Sequence, residues 1–200
     1  MNRETHRLIR AVLFSGLGLA ALASQAGTPD FDEEAALERA RLATQAFSGA
    51  LKSELMAAMQ EGGPIAAIAV CNQRAPAIAR QVSDRQGMEL KRVSQRYRNP
   101  DNAPNAWQLT VLQSFEASEE AGQDPRSLSW HQRVGSGTDR ELRYMKAIPT
   151  DALCLQCHGA AIDPKVAAKI NQLYPNDRAT GYEQGDIRGA FVVTQAAGAE

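Results

Sequence analysis

The most informative stretch of this chain is Cys154-Leu155-Gln156-Cys157-His158, because it predicts what the fold must enclose. Two cysteines separated by two residues and followed directly by histidine are typical of covalent c-type haem attachment. The two thiols add to the two vinyl groups of one porphyrin, and His158 is then the expected proximal ligand of the iron. A redox dithiol or half of a zinc site would share the spacing, but neither a βαβ context nor four metal ligands is visible. We therefore expect one covalently attached haem c inside the core.

The N-terminus carries the three parts of a secretory signal peptide. A basic region with Arg3, Arg7 and Arg10 precedes an apolar stretch over 11–22, and Ser24-Gln25-Ala26 has the small residues of a cleavage site. Because haem c is assembled outside the bacterial inner membrane, its attachment requires export. We predict that residues 1–26 are a signal peptide and that the mature protein is periplasmic. The apolar stretch is shorter than the ~20 residues of an ordinary membrane span, so an uncleaved anchor is the less favoured alternative.

Length and charge favour one domain over residues 27–200. The 200-residue chain has a formal net charge of −1, and removing residues 1–26 takes away three Arg and one Glu and leaves −3. This small negative charge does not favour nucleic acid or an anionic membrane as a partner. No internal repeat or low-complexity linker indicates a second domain. Since no nucleophile, metal-water site or acid/base pair stands out, we do not expect an enzyme.

The order of the expected elements predicts an α+β fold. Helical periodicity runs from the acidic residues after Pro29 to Gly62-Gly63-Pro64, and a second helix starts at Pro64 and should kink at Pro76. After Glu89 the chain changes to short strands separated by turn residues, among which Gly135 to Asp139 predicts a hairpin. The expected strands are Leu90–Arg96, Trp130–Val134, Leu142–Ile148 and Ala190–Thr194, and the expected short helices are Ala106–Ala117 and Pro164–Leu173. Helices followed by a small antiparallel sheet are typical of the α+β class.

Cys71 is the cysteine that the haem motif leaves over, and a lone thiol in an oxidising compartment needs an explanation. It lies on the apolar face of the second predicted helix, where a free cysteine is often a small buried side chain. An intermolecular disulfide and a thiolate bond to the haem iron opposite His158 are the other two interpretations. Among alternative distal ligands, His131 is the one other imidazole after the signal peptide, and the methionines are most simply packing residues. The residues alone leave these alternatives open.

Four separated motifs resemble one known family. They are Ala69-Val70-Cys71-Asn72 with Ala75, Pro76, Ile78 and Ala79; Arg96-Tyr97-Arg98-Asn99-Pro100 with Asn102, Pro104 and Trp107; Cys154-Leu155-Gln156-Cys157-His158-Gly159; and Gly185-Asp186-Ile187-Arg188-Gly189-Ala190-Phe191. In this order they are similar to the bacterial haem-c, PAS-like sensor-type domain family, a domain of unknown function found alone in the periplasm or within signalling proteins. The resemblance extends from about Leu37 to Gln195. It implies a PAS-like sheet packed on long N-terminal helices, with His158 as proximal and Cys71 as distal ligand.

The arginines between Arg92 and Arg98 are candidates for pairing with the haem propionates, because guanidinium groups bind carboxylates through two hydrogen bonds. On a strand over Leu90–Arg96, Arg92 and Arg96 would share one face. A solvated strand face or ordinary salt bridges would explain the same residues. We favour Arg96 and Arg98, since both belong to the resembling motif. We expect Arg188 to be structural and to pair with Asp186 or a helix end.

Two protein ligands would leave the iron six-coordinate, which favours regulation or electron transfer over oxygen chemistry. A thiolate can be displaced by oxidation, protonation or a diatomic gas. We therefore predict a redox or diatomic-gas sensor, with Cys71 as the element that moves. Since no output domain is seen after Gln195, such a sensor would act through a separate redox or signalling protein partner. The alternative is a periplasmic electron-transfer cytochrome c whose ligands stay in place.

Overall fold

The computed structural model describes residues 31–196, so the predicted signal peptide lies outside the described residues. Residues 31–196 belong to one compact unit. Within 31–196, no helix is long and apolar enough to cross a bilayer. The principal elements are α1 (Glu33–Ala69), a π-helical turn (Val70–Arg74), α2 (Ala75–Gln86), β1 (Glu89–Val93), α3 (Ala106–Glu120), β2 (Ser129–Val134), β3 (Glu141–Pro149), α4 (Leu155–His158), α5 (Pro164–Leu173) and β4 (Ile187–Ala196).

Helix α1 is broken at its glycine pair, where the sequence predicts a stop. Asp32 caps the start of the helix by accepting a hydrogen bond from the Ala35 amide (3.0 Å). Gly62 (φ −147°, ψ 15°) and Gly63 (φ 66°, ψ −160°) leave the helical conformation, and Pro64 follows them at the start of the next helical stretch. Glycine adopts the positive φ of Gly63 at little steric cost. The predicted division into two helical segments is confirmed, with a kink in place of a loop.

The π-helical turn between the second segment of α1 and α2 contains Cys71. The sequence predicts a kink at Pro76, which has no N–H to donate to the carbonyl four residues before it. The Ala75 amide donates to the Val70 carbonyl, five residues back, and this is the wider hydrogen bond of a π-helix. The predicted irregularity is therefore present, but it lies before Pro76 and includes Cys71.

Four antiparallel strands form one sheet in the order β1-β4-β3-β2. Strands β2 and β3 form the predicted hairpin, in which Trp130 lies opposite Met145. Strand β4 pairs with β1 on one side and with β3 on the other. The two predicted short helices are also present, and the first extends to Glu120. The predicted α+β class, with an antiparallel sheet and long N-terminal helices, is confirmed.

The two faces of the sheet pack against different helices. One cluster of buried side chains joins α1 and α2 to one face, and a second cluster joins α3 to the other. The first includes Phe47, Ile78, Leu90, Leu142 and Phe191, and the second includes Leu112, Phe115, Met145, Ala190 and Val192. In β1, β3 and β4, residues on the two faces are therefore buried in different clusters, as the two-residue period of a strand requires.

Strand β1 is shorter than the sequence predicts. We expected a strand over Leu90–Arg96, but β1 ends at Val93. The Ser94 amide donates to a carbonyl in the following loop and so leaves the ladder with β4. Arg96 therefore does not continue the strand face of Arg92, and the expected alignment of these two side chains is wrong.

A β-bulge between β3 and β4 changes which side Arg188 faces. Ala147 pairs with Ala190 in regular register, but the register shifts after Ile148, and Pro149 pairs with Ile187. Ile187 then packs in the cluster on the α3 side, and Arg188 lines the cavity on the opposite side. Redirecting a side chain in this way is a common use of a bulge.

Gly189 is required at this bulge because the backbone of β1 comes very close to it. Its φ is 154°, and a Cβ built there would lie 2.3 Å from the Val93 carbonyl oxygen. Backbone atoms cannot give way as the end of a flexible side chain can. A side chain at this position would therefore push β1 and β4 apart.

Gly189→Ala should lower the free energy of unfolding by about 1–3 kcal/mol, the usual cost of forcing atoms into a packed site. Gly49→Ala is the matched control, since Gly49 lies inside α1 and a Cβ there has nothing within 4 Å. This control should gain about 0.5–1 kcal/mol from helix propensity. Urea denaturation followed by circular dichroism measures both, and equal stabilities for the two variants would contradict the packing argument.

Candidate functional site

A cavity that opens to solvent lies between the N-terminal helical segments, the α1-facing side of the sheet and the Cys154–His158 turn. Its helical wall is apolar, and residues from β1, β4 and the loops complete it. The cavity brings together five of the six site residues predicted from the sequence. Those five are Cys71, Arg98, Cys154, Cys157 and His158.

The C-x-x-C-H stretch forms one tight turn that directs its functional groups to the same side. A short three-ten turn, Ala152–Cys154, leads directly into the single-turn helix α4. Residues three and four apart share a helix face, so the thiols of Cys154 and Cys157 and the His158 ring can serve one ligand. The turn ends at Gly159, where a Cβ would lie 2.7 Å from the Leu155 carbonyl oxygen. Glycine therefore permits the close return of the chain after the histidine.

The ring of His158 is oriented by its own hydrogen bond. Its Nδ1 lies 2.7 Å from the Ala179 carbonyl oxygen, which can only accept, so Nδ1 carries the proton and Nε2 keeps its lone pair. Burial, followed by the positive charges of Arg188 and Arg98, lowers the pKa of His158 well below its ordinary value. The Tyr182 ring meets the imidazole edge to face, with centroids 6.3 Å apart. A neutral imidazole held by a backbone carbonyl is the usual arrangement of a metal-ligating histidine.

Arg98 holds the haem-motif turn against the loop that carries Ala179. Its Nε and Nη2 atoms lie 3.1 and 3.0 Å from the two carboxylate oxygens of Asp177, and both side chains are buried (7% and 5% exposed). Nη2 also donates to the carbonyl oxygens of Cys157 (2.6 Å) and Ala179 (3.3 Å). The ion pair therefore fixes the turn and the acceptor of the His158 hydrogen bond together. A role of Arg98 in binding a propionate stays a prediction.

Arg96 does not line the cavity and packs on the Tyr182 ring, which contacts His158. Its guanidinium carbon is 3.6 Å from the centroid of the Tyr182 ring, and Nη1 donates to the Thr180 carbonyl (3.2 Å). It also lies 3.9 Å from an Asp186 carboxylate oxygen. Arg96 thus supports the aromatic ring that packs on His158, and its predicted contact with a propionate stays untested.

The expected pairing of Arg188 with Asp186 is wrong. Asp186 lies next to Arg96, and Arg188 donates to the Ser94 hydroxyl (3.0 Å). Arg92, one of the arginine candidates from the sequence, lines the cavity, and so do Arg188, Tyr97 and Tyr174, which the sequence did not identify as site residues. The bulge that redirects Arg188 depends on pairing between distant strands, so no local pattern indicates it.

Cys71 faces the cavity from the π-helical turn. Burial raises the pKa of the Cys157 thiol, Arg98 opposes this effect, and the neighbouring thiols of Cys71 and Cys154 add to it. All three thiols of the chain are free, and none forms a disulfide in this structure. His131, the other candidate distal ligand, is exposed on β2 and does not line the cavity.

The donor set of this cavity suits a large planar group better than a bare metal ion. Within residues 31–196, no three or more His, Cys, Asp or Glu side chains are grouped to hold a metal ion, and a structural zinc site needs four ligands. The cavity has apolar helical walls, a thiol pair next to an oriented imidazole, and a further thiol on the helical side. A haem would suit these residues: Cys154 and Cys157 could hold its edge, and His158 and Cys71 could bind its iron.

Comparison with known proteins shows the family of this chain. Residues 29–196 match the model of a family described as Tll0287-like. The chain belongs to the Tll0287-like family. It is also similar to the crystal structure of the cyanobacterial haem protein Tll0287, with 27% sequence identity over 64% of this chain and 72% of that chain and a TM-score of 0.51. No curated protein matches the chain. The resemblance predicted from the four motifs is thus confirmed at the level of fold and of a family that includes a haem protein.

Breaking the buried ion pair of Arg98 and Asp177 should lower the free energy of unfolding far more than breaking an exposed ion pair does. Arg98→Gln should lower the free energy of unfolding by about 3–5 kcal/mol, because it leaves a buried carboxylate without its partner. The matched control is Arg126→Gln, which breaks the exposed pair with Asp151 (62% and 48% exposed) and should cost less than about 1 kcal/mol. Chemical denaturation compares the two, and a similar small loss for both would show that Arg98 does not hold the site.

Proposed function

We propose that this protein is an exported c-type haem protein with a six-coordinate haem, held by thioether bonds to Cys154 and Cys157 and ligated by His158 and Cys71. The observation that carries the proposal is that these four side chains line one cavity. The related Tll0287 is a haem protein. Covalent attachment, the PAS-like description and the periplasmic location are parts of the proposal, as is the absence of an enzyme activity.

The attachment chemistry requires two free thiols on one side of a turn. Each S–H adds across one vinyl C=C bond, so that sulfur bonds to carbon and the hydrogen is taken up by the same vinyl group. The Ala152–Cys154 turn and helix α4 together hold the two cysteines three residues apart and the histidine next to the second one. The hydrogen bond from Nδ1 to Ala179 leaves Nε2 as the atom of His158 that can bind iron. The haem supplies a redox-active iron with two axial positions.

Cys71 is the better candidate for the second axial position. It lines the cavity, whereas His131 is exposed on β2 and lies outside it. A thiol bound to a metal loses its proton, and thiolate donates electron density to the iron and lowers its reduction potential. The thiolate is also the ligand that a proton, an oxidant or a diatomic gas can displace.

The position of Cys71 in a π-helical turn favours a sensor. π-helical turns are rare and occur often at functional sites. A bound haem would supply an iron that a diatomic gas such as nitric oxide can ligate, and Cys71 would be the side chain that such a gas releases. The freed turn, Val70–Arg74, connects directly to α2, so the change at the iron can reach the helical surface. We propose that a separate redox or signalling protein in the periplasm recognises this change.

The alternative function, an electron-transfer cytochrome c, is favoured by the rigid setting of His158. Its ring is held by the Ala179 carbonyl and packs on Tyr182, and the buried pair of Arg98 and Asp177 holds the loop in place. If Cys71 were held as firmly as His158, the iron could exchange electrons with a redox partner while both protein ligands stayed bound. The two functions therefore differ in whether the Cys71 side of the site moves.

Covalent attachment is tested by producing the protein in the periplasm of a host that matures cytochromes c. The wild-type protein should keep its haem on a denaturing gel, and Cys154→Ser or Cys157→Ser should each remove one thioether bond and shift the pyridine haemochrome band. Cys71→Ser is the control, since Cys71 is not an attachment residue and should leave that band unchanged. Loss of the haem from the wild-type protein on the gel would contradict the proposed function.

Displacement of Cys71 separates the sensor from the carrier. Nitric oxide or carbon monoxide added to the reduced protein should shift the Soret band of the wild-type protein, because the gas replaces the thiolate. Cys71→Ser should bind the gas faster, since a weaker ligand has to leave, and His131→Ala should behave like the wild type. A reduced wild-type protein whose spectrum stays unchanged under both gases would favour the electron carrier.

A further inference from the structure

Two arginines of the cavity have no carboxylate partner. Among residues 31–196, the ion pairs in this region join Arg98 to Asp177 and Arg96 to Asp186, and no carboxylate oxygen lies within 4.0 Å of the guanidinium group of Arg92 or Arg188. Arg92 and Arg188 nevertheless both line the cavity. Both arginines are half-buried, and a partly desolvated cation without a counter-charge is stabilised by an anion placed beside it.

The contacts that these two arginines do make involve neutral groups. The guanidinium carbon of Arg92 lies 5.7 Å from the centroid of the Phe47 ring. Arg188 donates from Nη1 to the Ser94 hydroxyl (3.0 Å) and to the Arg96 carbonyl (3.4 Å), and it lies 5.2 Å from the centroid of the Tyr182 ring. Ring faces and single neutral acceptors orient a guanidinium group but do not neutralise it. Burial lowers the pKa of both arginines, and the positive charges of Arg92 and Arg98 further lower the pKa of Arg188.

Both side chains reach the cavity by specific backbone features. Arg92 lies on β1 opposite Phe191, on the face of the sheet that packs against α1. The bulge at Ile148/Pro149 brings Arg188 to the same side, and Gly189 allows the close approach of β1 to β4 on which this depends. The fold thus places two cations from neighbouring strands against one cavity, where a salt-bridge partner from the described residues is lacking.

We infer that Arg92 and Arg188 bind the two propionate groups of the haem, and that this arginine pair, rather than Arg96, anchors the carboxylate edge of the porphyrin. The inference rests on the proposed haem. The vinyl and propionate groups lie on different edges of a porphyrin, so a haem tethered at Cys154 and Cys157 still has its carboxylates to place. A planar guanidinium group can donate two parallel hydrogen bonds to each carboxylate. The anions that the arginines need are then supplied by the cofactor.

Arginine substitutions in the haem-loaded protein test this inference. Arg92→Gln and Arg188→Gln should shift the propionate bending bands in the resonance Raman spectrum and move the reduction potential to more negative values, because a positive charge near the iron is lost. Arg133→Gln is the matched control, since Arg133 is an exposed strand arginine paired with Glu33 (3.6 Å). Unchanged Raman bands and potentials in both cavity variants, or equal changes in the control, would overturn the inference.

Lysine variants keep the test decisive if the glutamine variants do not accumulate. Arg92→Lys and Arg188→Lys retain the charge and lose the paired hydrogen bonds, so the potential should stay near the wild-type value while the propionate bands shift. Wild-type Raman bands in both lysine variants would overturn the inference. If the wild-type protein carried no covalent haem, the proposed function would be overturned. If the haem were normal but the propionate bands of the arginine variants matched the wild type, only the role of the two arginines would be overturned.

Discussion

The buried ion pair of Arg98 and Asp177 is the interaction on which the site depends. Asp177 follows α5, and Arg98 follows β1, so the pair joins two parts of the chain far apart in sequence. The same guanidinium group donates to the carbonyl of Cys157, and Asp177 accepts from the Ala179 amide (2.9 Å). A buried arginine is costly unless its charge and hydrogen bonds are satisfied, and here the groups that satisfy it are those that orient His158.

The two sides of the cavity differ in how firmly they are held. On the His158 side, a buried ion pair, a backbone acceptor and the Tyr182 ring fix the imidazole. On the helical side, Cys71 lies in a π-helical turn that follows a segment starting at the Gly62-Gly63 kink. The exposed pair of Arg74 and Glu54, joined by two hydrogen bonds of 2.7 Å, spans that kink. A fixed proximal ligand and a more adaptable distal one are what ligand exchange at a haem requires.

Local patterns predicted most of the fold, and pairings between distant residues account for what they missed. The helix periodicity, the Gly62-Gly63-Pro64 break and the hairpin are each encoded within a few residues, and each is present. The early end of β1, by contrast, depends on a hydrogen bond from Ser94 into a later loop. The same limit applies to the site: the C-x-x-C-H stretch and Cys71 were found from sequence, but the orientation of Arg188 follows from the bulge opposite Ile148. Arg96 and Arg98 were chosen from a motif, which carries no information about the side chains they contact.

Electron paramagnetic resonance of the ferric haem-loaded protein tests the central claim most directly, because it reports the spin state and the axial ligands together. A haem held by His158 and the Cys71 thiolate should give a low-spin spectrum with the narrow spread of g values that a thiolate ligand produces. Cys71→Ser should lose that spectrum, and His131→Ala should retain it. A high-spin wild-type protein, or a Cys71→Ser spectrum identical to that of the wild type, would contradict the assignment of the site.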